Sequence, residues 1–218
     1  IHQTKDFTYR TIFSGWDVFR SQFPLQTIIN PTLVNDEINS LLQMAELSGN
    51  EYLPRWEMLN SYSGCMIGNP AVSVIVDAYE KGIRNYDIDK AFTYAKNTVD
   101  NTGNGELGYS NNHISKTLEY AYTDWALGTM ATSLGKTEIA EEYLKKSESY
   151  KNIWNEEVNW FRAKDSVGNW LEWKGKTVHG QGCIESNPYQ QGWFVPHDID
   201  GLKKLMGGEE VFKKELIS

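Results

Sequence analysis

Cysteines, basic clusters and long apolar runs are all scarce in this chain, and each shortage excludes a class of protein. Only Cys65 and Cys183 occur among 218 residues, too few for a disulfide framework. No run of Lys and Arg exceeds a pair and the formal net charge is −8, so we expect no nucleic-acid partner. No segment is apolar for long enough to cross a membrane, and none has the pattern of a signal peptide. The composition predicts a globular chain with a sizeable core.

Aromatic residues are abundant instead. The chain has 8 Trp, 12 Tyr and 8 Phe, which together make up 13% of its residues. Large rings are the usual anchors of a hydrophobic core, and they also line many clefts that bind sugars. Both interpretations are compatible with the composition, and both can hold in one protein.

Apolar residues with helical spacing recur along most of the chain. Val34, Ile38 and Leu41 are one example, and Asn-Pro pairs or glycines stand where such segments would start or stop. The pattern predicts a short helix over 14–23 closed by Pro24, and a last helix that begins near Glu209 and is cut off by the C-terminus. Between them, helices are predicted over 31–48, 70–82, 88–99, 113–134, 138–154 and 198–206.

Strand signals are few, so the predicted fold class is all-α. One short β-hairpin is expected within 159–173, where "DSVGN" separates two aromatic-rich arms. Helical hairpins can stack into an open solenoid or close into an (α/α)6 toroid. The long connections at 49–69, 100–112 and 155–197 favour the toroid, because such loops would gather at one mouth and form a cleft.

Two stretches in the first part of the chain carry candidate binding residues. Asp17 and Arg20 are three positions apart on the predicted first helix, so they share a face. They lie among aromatic residues, which predicts partial burial and a pair able to hold sugar hydroxyls. An ordinary surface ion pair is the alternative. Trp56, which follows Pro54 and Arg55, is expected either to form a cleft wall or to plug the end of the barrel.

The stretch "GCIESNPYQQGWFVPHD", residues 182–198, contains the candidate acid Glu185. A glycosidase needs a protonated carboxyl to donate a proton to the departing oxygen, and apolar neighbours favour that form. Tyr189 and Trp193 are therefore expected to surround Glu185 in a ring-lined, dry hollow, while Asn187 and Gln190 offer neutral hydrogen bonds to sugar hydroxyls. The alternative is a solvated carboxylate in a loop.

The pair His197 and Asp198 ends the same stretch and resembles part of a metal site or a catalytic triad. No second histidine at ligand spacing and no nucleophile motif accompanies it. We expect Asp198 to cap the next helix instead, and Glu209 likewise stands at a helix start. Neither is a convincing general base.

Four segments bear a family resemblance: "FSGWDVFRSQFPL", "LPRWEMLNSYSGCMIGNPAVSVIVDAYEKGI", "TLEYAYTDWALGTMATSLGK" and "IESNPYQQGWFVPHDIDGLKKLMGG". In this order they resemble glycoside hydrolase family 92, which comprises calcium-dependent, exo-acting and inverting α-mannosidases. The family fold is a β-sandwich followed by an (α/α)6 toroid. By this resemblance, residues 1–218 are a partial catalytic domain, without the sandwich and without the later hairpins.

The resemblance also implies roles for individual residues. Glu185 matches the general acid of the family, Asp17 and Arg20 match the mannose pocket, and Trp56 lies in a matching cleft-wall stretch. The general base and most ligands of the Ca²⁺ cofactor are expected downstream of Ser218, so no metal ligand is assigned here.

The implied function is hydrolysis of terminal mannose, with α-1,2 linkage preference, from mannose-rich oligosaccharides such as N-glycans. The implied location is secreted, periplasmic or cell-surface, mostly in bacteria. Ser186, Pro188, Tyr189, Gln191 and Gly192 depart from the family pattern, at positions next to the subsite that selects the linkage. Two other functions stay open: an α/α-toroid glycosidase that acts on other α-glycosides, and an inactive carbohydrate-binding or scaffold fragment. The isolated chain is expected to be inactive and to self-associate.

Overall fold

The structure is a computed structural model that describes residues 4–11, 14–58 and 61–217. The chain is mainly helical in these ranges, with two short antiparallel hairpins, β1 with β2 and β3 with β4. The predicted all-α class with a small hairpin is confirmed. In chain order the elements are α1 (Gly15–Val18), α2 (Gln22–Ile29), α3 (Pro31–Ser48), β1 (Glu57–Met58), β2 (Ser61–Tyr62), α4 (Pro70–Glu80), α5 (Ile88–Thr102), α6 (Ile114–Ser133), α7 (Thr137–Lys146), a 3₁₀ helix (Ser147–Ile153), β3 (Trp154–Asn155), β4 (Trp160–Phe161), α8 (Pro188–Gln191), α9 (Ile199–Met206) and α10 (Glu209–Leu216).

The chain divides into two compact units. The first contains the residues up to Thr102 together with Thr123–Leu144, and the second contains Gly103–Tyr122 together with Lys145–Ser218. In the first unit, helices α2 to α5 pack on one another in chain order, and the apolar stripes of α3 to α5 are buried, whereas Leu25, Ile28 and Ile29 of α2 are exposed. Burial of these stripes supplies the main favourable free energy of folding for such helices, which are marginal in isolation.

The ends of the central helices follow from local chemistry. Asn30 caps α3, its side chain accepting a hydrogen bond from the Leu33 amide, and Pro31 occupies the first helical position. Gly49 ends α3 in the left-handed conformation, with φ of 73°. Asp87 accepts from the Lys90 amide at 2.9 Å before α5. These starts and stops are the ones that the sequence predicts.

The second unit has its own aromatic core. Trp160 and Phe161 of β4 are almost completely buried, and β4 pairs with β3 in the register Trp154 to Phe161. Tyr150 of the 3₁₀ helix and Leu118 of α6 belong to the same buried cluster. Ring contacts within it are mostly edge-to-face, the arrangement favoured by aromatic quadrupoles.

Several predicted boundaries are wrong. The helix expected over 14–23 is two helices, and Pro24 lies in the first turn of α2 instead of closing a helix. Proline is tolerated there because the first amides of a helix have no intrahelical acceptor. The helix expected over 138–154 is α7 followed by a 3₁₀ helix that begins at Ser147. Serine side chains offer competing hydrogen bonds at such a point, and 3₁₀ turns are common at helix ends.

The hairpin expected within 159–173 is only partly as predicted. Asp165 closes a turn to Asn169, and Lys164 bridges to Trp170, so "DSVGN" is a turn. However, the strand partner of β4 is β3, which precedes the predicted segment. Helix α10 ends at Leu216, and Ser218, where the last helix was expected to be cut off, lies outside the described residues.

Candidate active site

Glu185 stands on a loop with an unusual backbone. Its φ is 53°, in the left-handed region that non-glycine residues seldom adopt, and Gln181 and Gly182 just before it also have positive φ. An L-residue in this conformation costs roughly 1–2 kcal/mol, so the surrounding contacts must hold it there. Strain of this kind is concentrated at functional sites.

The side chain of Glu185 is exposed in this structure, which corrects the expectation of a ring-lined hollow. The rings expected around it are used elsewhere. Tyr189 stacks on Trp160 with ring centroids 5.5 Å apart, and Trp193 meets Trp160 edge-to-face at 5.3 Å. These rings are drawn into the core of the second unit because burial there stabilises the fold. They are not available to enclose the carboxyl.

Asn187 and Gln190 form a reciprocal capping box at the start of α8. The Gln190 amide donates to Asn187 Oδ1 at 2.9 Å, and the Asn187 amide donates to Gln190 Oε1 at 3.3 Å. Asn187 Nδ2 also donates to the Thr177 carbonyl at 3.3 Å. Both side chains therefore fix the segment that directly follows Glu185. Their predicted role in binding sugar hydroxyls stays a prediction.

A buried serine joins both sides of this segment. Ser115, in the first turn of α6, is fully buried, and its Oγ accepts from the Ile184 amide at 2.9 Å. The same Oγ donates to Gln191 Oε1 at 3.0 Å. The carbonyl of Gly182 accepts from the amides of Ile114 and Ser115 at 2.8 and 3.2 Å. Sequence reasoning missed Ser115, because a serine near a helix start looks like any other polar first-turn residue.

Cys183 precedes Ile184 and is buried as well. Burial raises the pKa of its thiol to about 12, although the neighbouring hydroxyls of Ser115 and Ser186 oppose part of this effect. The thiol is therefore neutral near pH 7 and is a packing group, not a nucleophile.

Asp198 is a helix cap, as predicted. Its Oδ1 accepts from the Gly201 amide at 2.8 Å, and its Oδ2 accepts from the Tyr150 hydroxyl at 2.6 Å. Burial acts to raise the pKa of Asp198, but these hydrogen bonds and the nearby Lys151 outweigh it and hold the pKa below its usual range. Burial lowers the pKa of His197, whose Nε2 contacts the Ser147 carbonyl at 3.1 Å. This pair supports the fold around the end of the Glu185 segment.

Asp17 and Arg20 lie at the start of the first unit. Asp17 is in α1, and Arg20 follows the end of α1, with its guanidinium 4.5 Å from the Phe19 ring centre. Arg20 Nε donates to the Trp16 carbonyl at 3.1 Å. Both charged side chains are exposed, so the expectation of partial burial is wrong. The neighbouring Phe19 is buried, so the ring and not the charged pair is the inward-facing group of this stretch.

Trp56 is half-buried and lies close to α1 through the backbone. The Gly15 amide donates to the Arg55 carbonyl at 3.1 Å, and a Cβ on Gly15 would lie 2.9 Å from that oxygen. Only glycine permits this approach. The Trp56 carbonyl accepts from the amide and hydroxyl of Ser63 at 3.0 and 2.8 Å. The structure thus brings the two binding stretches of the first unit together.

Glu57 in β1 is a buried carboxylate that sequence reasoning also missed. It is 6% exposed, and burial together with the charge of Glu57 raises the pKa of Tyr9. Its position directly after Trp56 could have indicated it, but an isolated glutamate in a loop gives no sign of burial. Asp17, Arg20 and Trp56 belong to the first unit, and Glu185, Asn187 and Gln190 to the second. Their grouping in one cleft stays a prediction.

Two further features bear on function. Across residues 4–11, 14–58 and 61–217, no group of three or more His, Cys, Asp or Glu side chains is arranged to hold a metal ion. Within the same ranges, no helix combines the length and apolar character needed to span a bilayer.

Comparison with known proteins places this arrangement of helical hairpins in a family of glycoside hydrolases. A model of the glycosyl hydrolase family 92 catalytic domain matches residues 1–218. The chain belongs to glycosyl hydrolase family 92, which confirms the resemblance carried by the four segments.

Similar proteins have been solved and curated. The α-mannosidase BT3965 from Bacteroides thetaiotaomicron is 31% identical, with a TM-score of 0.93 over 99% of this chain and 30% of that chain. The inverting mannosidase BT2199 from Bacteroides thetaiotaomicron VPI-5482 is 34% identical, with a TM-score of 0.90 over 98% of this chain and 31% of that chain. A protein of Arthroderma benhamiae named "uncharacterized secreted glycosidase" is 25% identical over 95% of this chain and 33% of its own length. The chain thus spans about a third of these relatives.

Proposed function

We propose that the protein containing this chain is an exo-acting α-mannosidase that removes terminal mannose from mannose-rich oligosaccharides with inversion. Family membership and the α-mannosidase relatives support the reaction class. BT2199 is described as an inverting mannosidase, which supports inversion. A structure of BT3965 in complex with mannoimidazole supports a mannose-shaped pocket. The observation that carries the proposal is Glu185, an exposed carboxyl on a strained and tightly bonded loop.

In this proposal Glu185 is the general acid. It donates its proton to the glycosidic oxygen as the bond from the anomeric carbon breaks, and a water attacks the opposite face of the ring. The base that activates the water is not assigned. Asp198 is occupied as a cap, and Glu209 is in an ion pair with Lys213 at 2.8 Å, so neither is available to activate water.

We propose as substrate-binding residues Asp17, Arg20 and Trp56 of the first unit, and Asn187 and Gln190 of the second. The carboxylate of Asp17 accepts from hydroxyls, the guanidinium of Arg20 donates, and the Trp56 ring packs on an apolar sugar face. The (α/α)6 toroid, with residues 1–218 as part of it, is proposed as the frame that holds these loops.

Three finer points belong to the same proposal. Calcium is proposed as the cofactor from family membership, with most of its ligands outside this chain, and it would polarise hydroxyls of the bound sugar. Linkage preference is proposed as α-1,2. A secreted or cell-surface location is supported by the name of the Arthroderma protein.

The direct test uses purified full-length protein on α-1,2-, α-1,3- and α-1,6-mannobiose and on an aryl α-glucoside, with and without chelator. NMR identifies the anomer released first. We expect β-mannose, fastest from the α-1,2 substrate, and little glucose. Glu185→Gln should lower kcat by roughly 10²–10⁴-fold, the usual contribution of a general acid. Glu172→Gln, which alters an exposed carboxylate of the same unit, serves as the matched control. Full activity of Glu185→Gln would remove Glu185 from the mechanism.

A second candidate function is carbohydrate binding without turnover. It is favoured by the exposure of Glu185 and by the lack of an assignable base in the described part of the chain. Calorimetry with mannose distinguishes the two: binding with no product in any linkage supports the second function. A glycosidase acting on other α-glycosides would instead release glucose from the aryl glucoside.

A further inference from the structure

The loop around Glu185 is held by buried contacts on both sides of the carboxyl. Ile184 directly precedes it and Gln191 lies six positions after it, and both hydrogen-bond to one atom, Ser115 Oγ. The contacts span 69 and 76 positions of sequence, so they tie the loop to a distant helix instead of to itself. Ser115 is fully buried, which makes its hydroxyl a fixed point.

The backbone of the same helix adds a second attachment. The first-turn amides of α6 donate to the Gly182 carbonyl, three residues before Glu185. A Cβ on Gly182 would lie 2.7 Å from the Asn112 oxygen, so the loop and this helix start are in close contact. Hydrogen-bonded buried groups of this kind rigidify their surroundings when fully satisfied.

These contacts hold Glu185 in a backbone conformation that is unfavourable for a non-glycine residue. Glu185 has a φ of 53°. The residue before it, Ile184, donates its backbone N–H to Ser115 Oγ. Without that bond the segment can relax toward ordinary φ values, and the carboxyl would then point in another direction. A misplacement of about 1 Å can lower a catalytic rate by about 10²-fold.

We propose that Ser115 is a positioning residue that sets the direction in which Glu185 presents its carboxyl. This rests on the proposed function, in which Glu185 is the general acid. Ser115 itself touches no substrate. Its hydroxyl accepts from the Ile184 amide and donates to Gln191 Oε1, which fixes the loop at residues 184 and 191 simultaneously.

The test compares two substrates with different leaving groups, and so distinguishes a loss of proton donation from general damage to the enzyme. A sugar alcohol is a poor leaving group that needs a proton, whereas dinitrophenolate leaves without one. The measured quantity is the ratio of kcat for 2,4-dinitrophenyl α-mannoside to kcat for mannobiose, in full-length protein. Glu185→Gln should raise this ratio by roughly 10²-fold or more.

Ser115→Ala should raise the same ratio by about 10- to 100-fold, because the acid is misaligned rather than removed. Ser115→Thr keeps the hydroxyl and should restore a ratio near wild type. Gln191→Met, which removes the acceptor of Ser115 Oγ and keeps the side-chain length, should move the ratio in the same direction as Ser115→Ala. Hydrogen exchange at the Ile184 amide should accelerate in Ser115→Ala and stay slow in Ser115→Thr.

Each outcome decides the matter. A selective loss in Ser115→Ala that Ser115→Thr restores supports the inference. An equal loss of kcat on both substrates in Ser115→Ala, or equal ratios in Ser115→Ala and Ser115→Thr, overturns the inference. If Glu185→Gln still loses kcat mainly on mannobiose, the proposed function stands. If Ser115→Ala does not fold, an unchanged ratio in Gln191→Met overturns it. A Glu185→Gln variant without selectivity overturns both proposals.

Discussion

Glu37 on α3 is a buried carboxyl whose ionisation should make this protein less stable as pH rises. Its side chain lies within the first unit at 8% exposure, and its Oε2 has no hydrogen-bond partner among the described residues. Burial raises the pKa of Glu37 to about 7, and the Asp36 charge adds to the effect while Arg10 opposes it. The ordinary pKa is 4.5, so the folded chain keeps this proton up to a higher pH than the unfolded chain does.

The sign and size of the effect follow from linkage. Below pH 4.5 the carboxyl is neutral in both states, and its ionisation has no influence on stability. Between about 4.5 and 7 only the unfolded state loses the proton, so the free energy of unfolding falls by about 1.4 kcal/mol per pH unit. Above 7 both states are ionised and the loss levels off at about 3 kcal/mol.

The perturbation is Glu37→Gln, which keeps the shape and removes the titration. Urea unfolding of the full-length protein from pH 4 to pH 8 should show the variant gaining stability over wild type as pH rises, with a plateau above 7. Glu46→Gln on the same helix, an exposed carboxylate paired with Lys90, is the control and should shift stability by less than about 0.5 kcal/mol at any pH. A difference between Glu37→Gln and wild type that does not change with pH would refute the reasoning.

Three further predictions concern local packing in the two units. Gly182→Ala should destabilise the chain by about 1–2 kcal/mol or more, because its φ is +89° and a Cβ would meet a carbonyl oxygen; an unchanged Tm contradicts this. Tyr150→Phe should cost about 1–2 kcal/mol and raise the pKa of Asp198 by removing a buried donor, measurable by denaturation and carboxyl NMR. In native protein at pH 8, iodoacetamide should modify the exposed Cys65 and spare the buried Cys183, as mass spectrometry would show; labelling of both would count against the packing.

Most of the helical architecture could be predicted from the sequence because its signals are local. Periodic apolar residues with Asn30 and Gly49 at the ends indicated α3, and the same kind of signal indicated α4 to α6. The prediction failed where two local rules conflicted. A proline such as Pro24 breaks a helix in its interior but is tolerated in its first turn. Where the helix begins decides which case applies, and here α2 begins at Gln22.

The position of the candidate site stays a prediction, and the environment predicted for Glu185 is wrong. The Glu185 segment stood out because of its residue types, and Asp198 was correctly expected to cap α9. The surroundings of Glu185 were predicted wrongly because Tyr189 and Trp193 could pack either on the carboxyl or on the core. Nothing in their spacing reveals that Trp160 competes for both rings. Ser115 was missed for a related reason, since its partners are distant in sequence.

Glu185 is exposed, and its loop is held by hydrogen bonds. The segment around it therefore contributes to the proposed general acid by orienting the carboxyl, not by burying it. The rings nearest in sequence stabilise the core, and the hydrogen bonds of Ser115 and of the capping box fix the backbone. A general acid also needs water to be excluded while it works, and this segment does not supply that. In the proposed mechanism, we expect the bound mannoside to help cover the carboxyl. Substrates that lack the bulk to cover it should lose kcat and not only affinity.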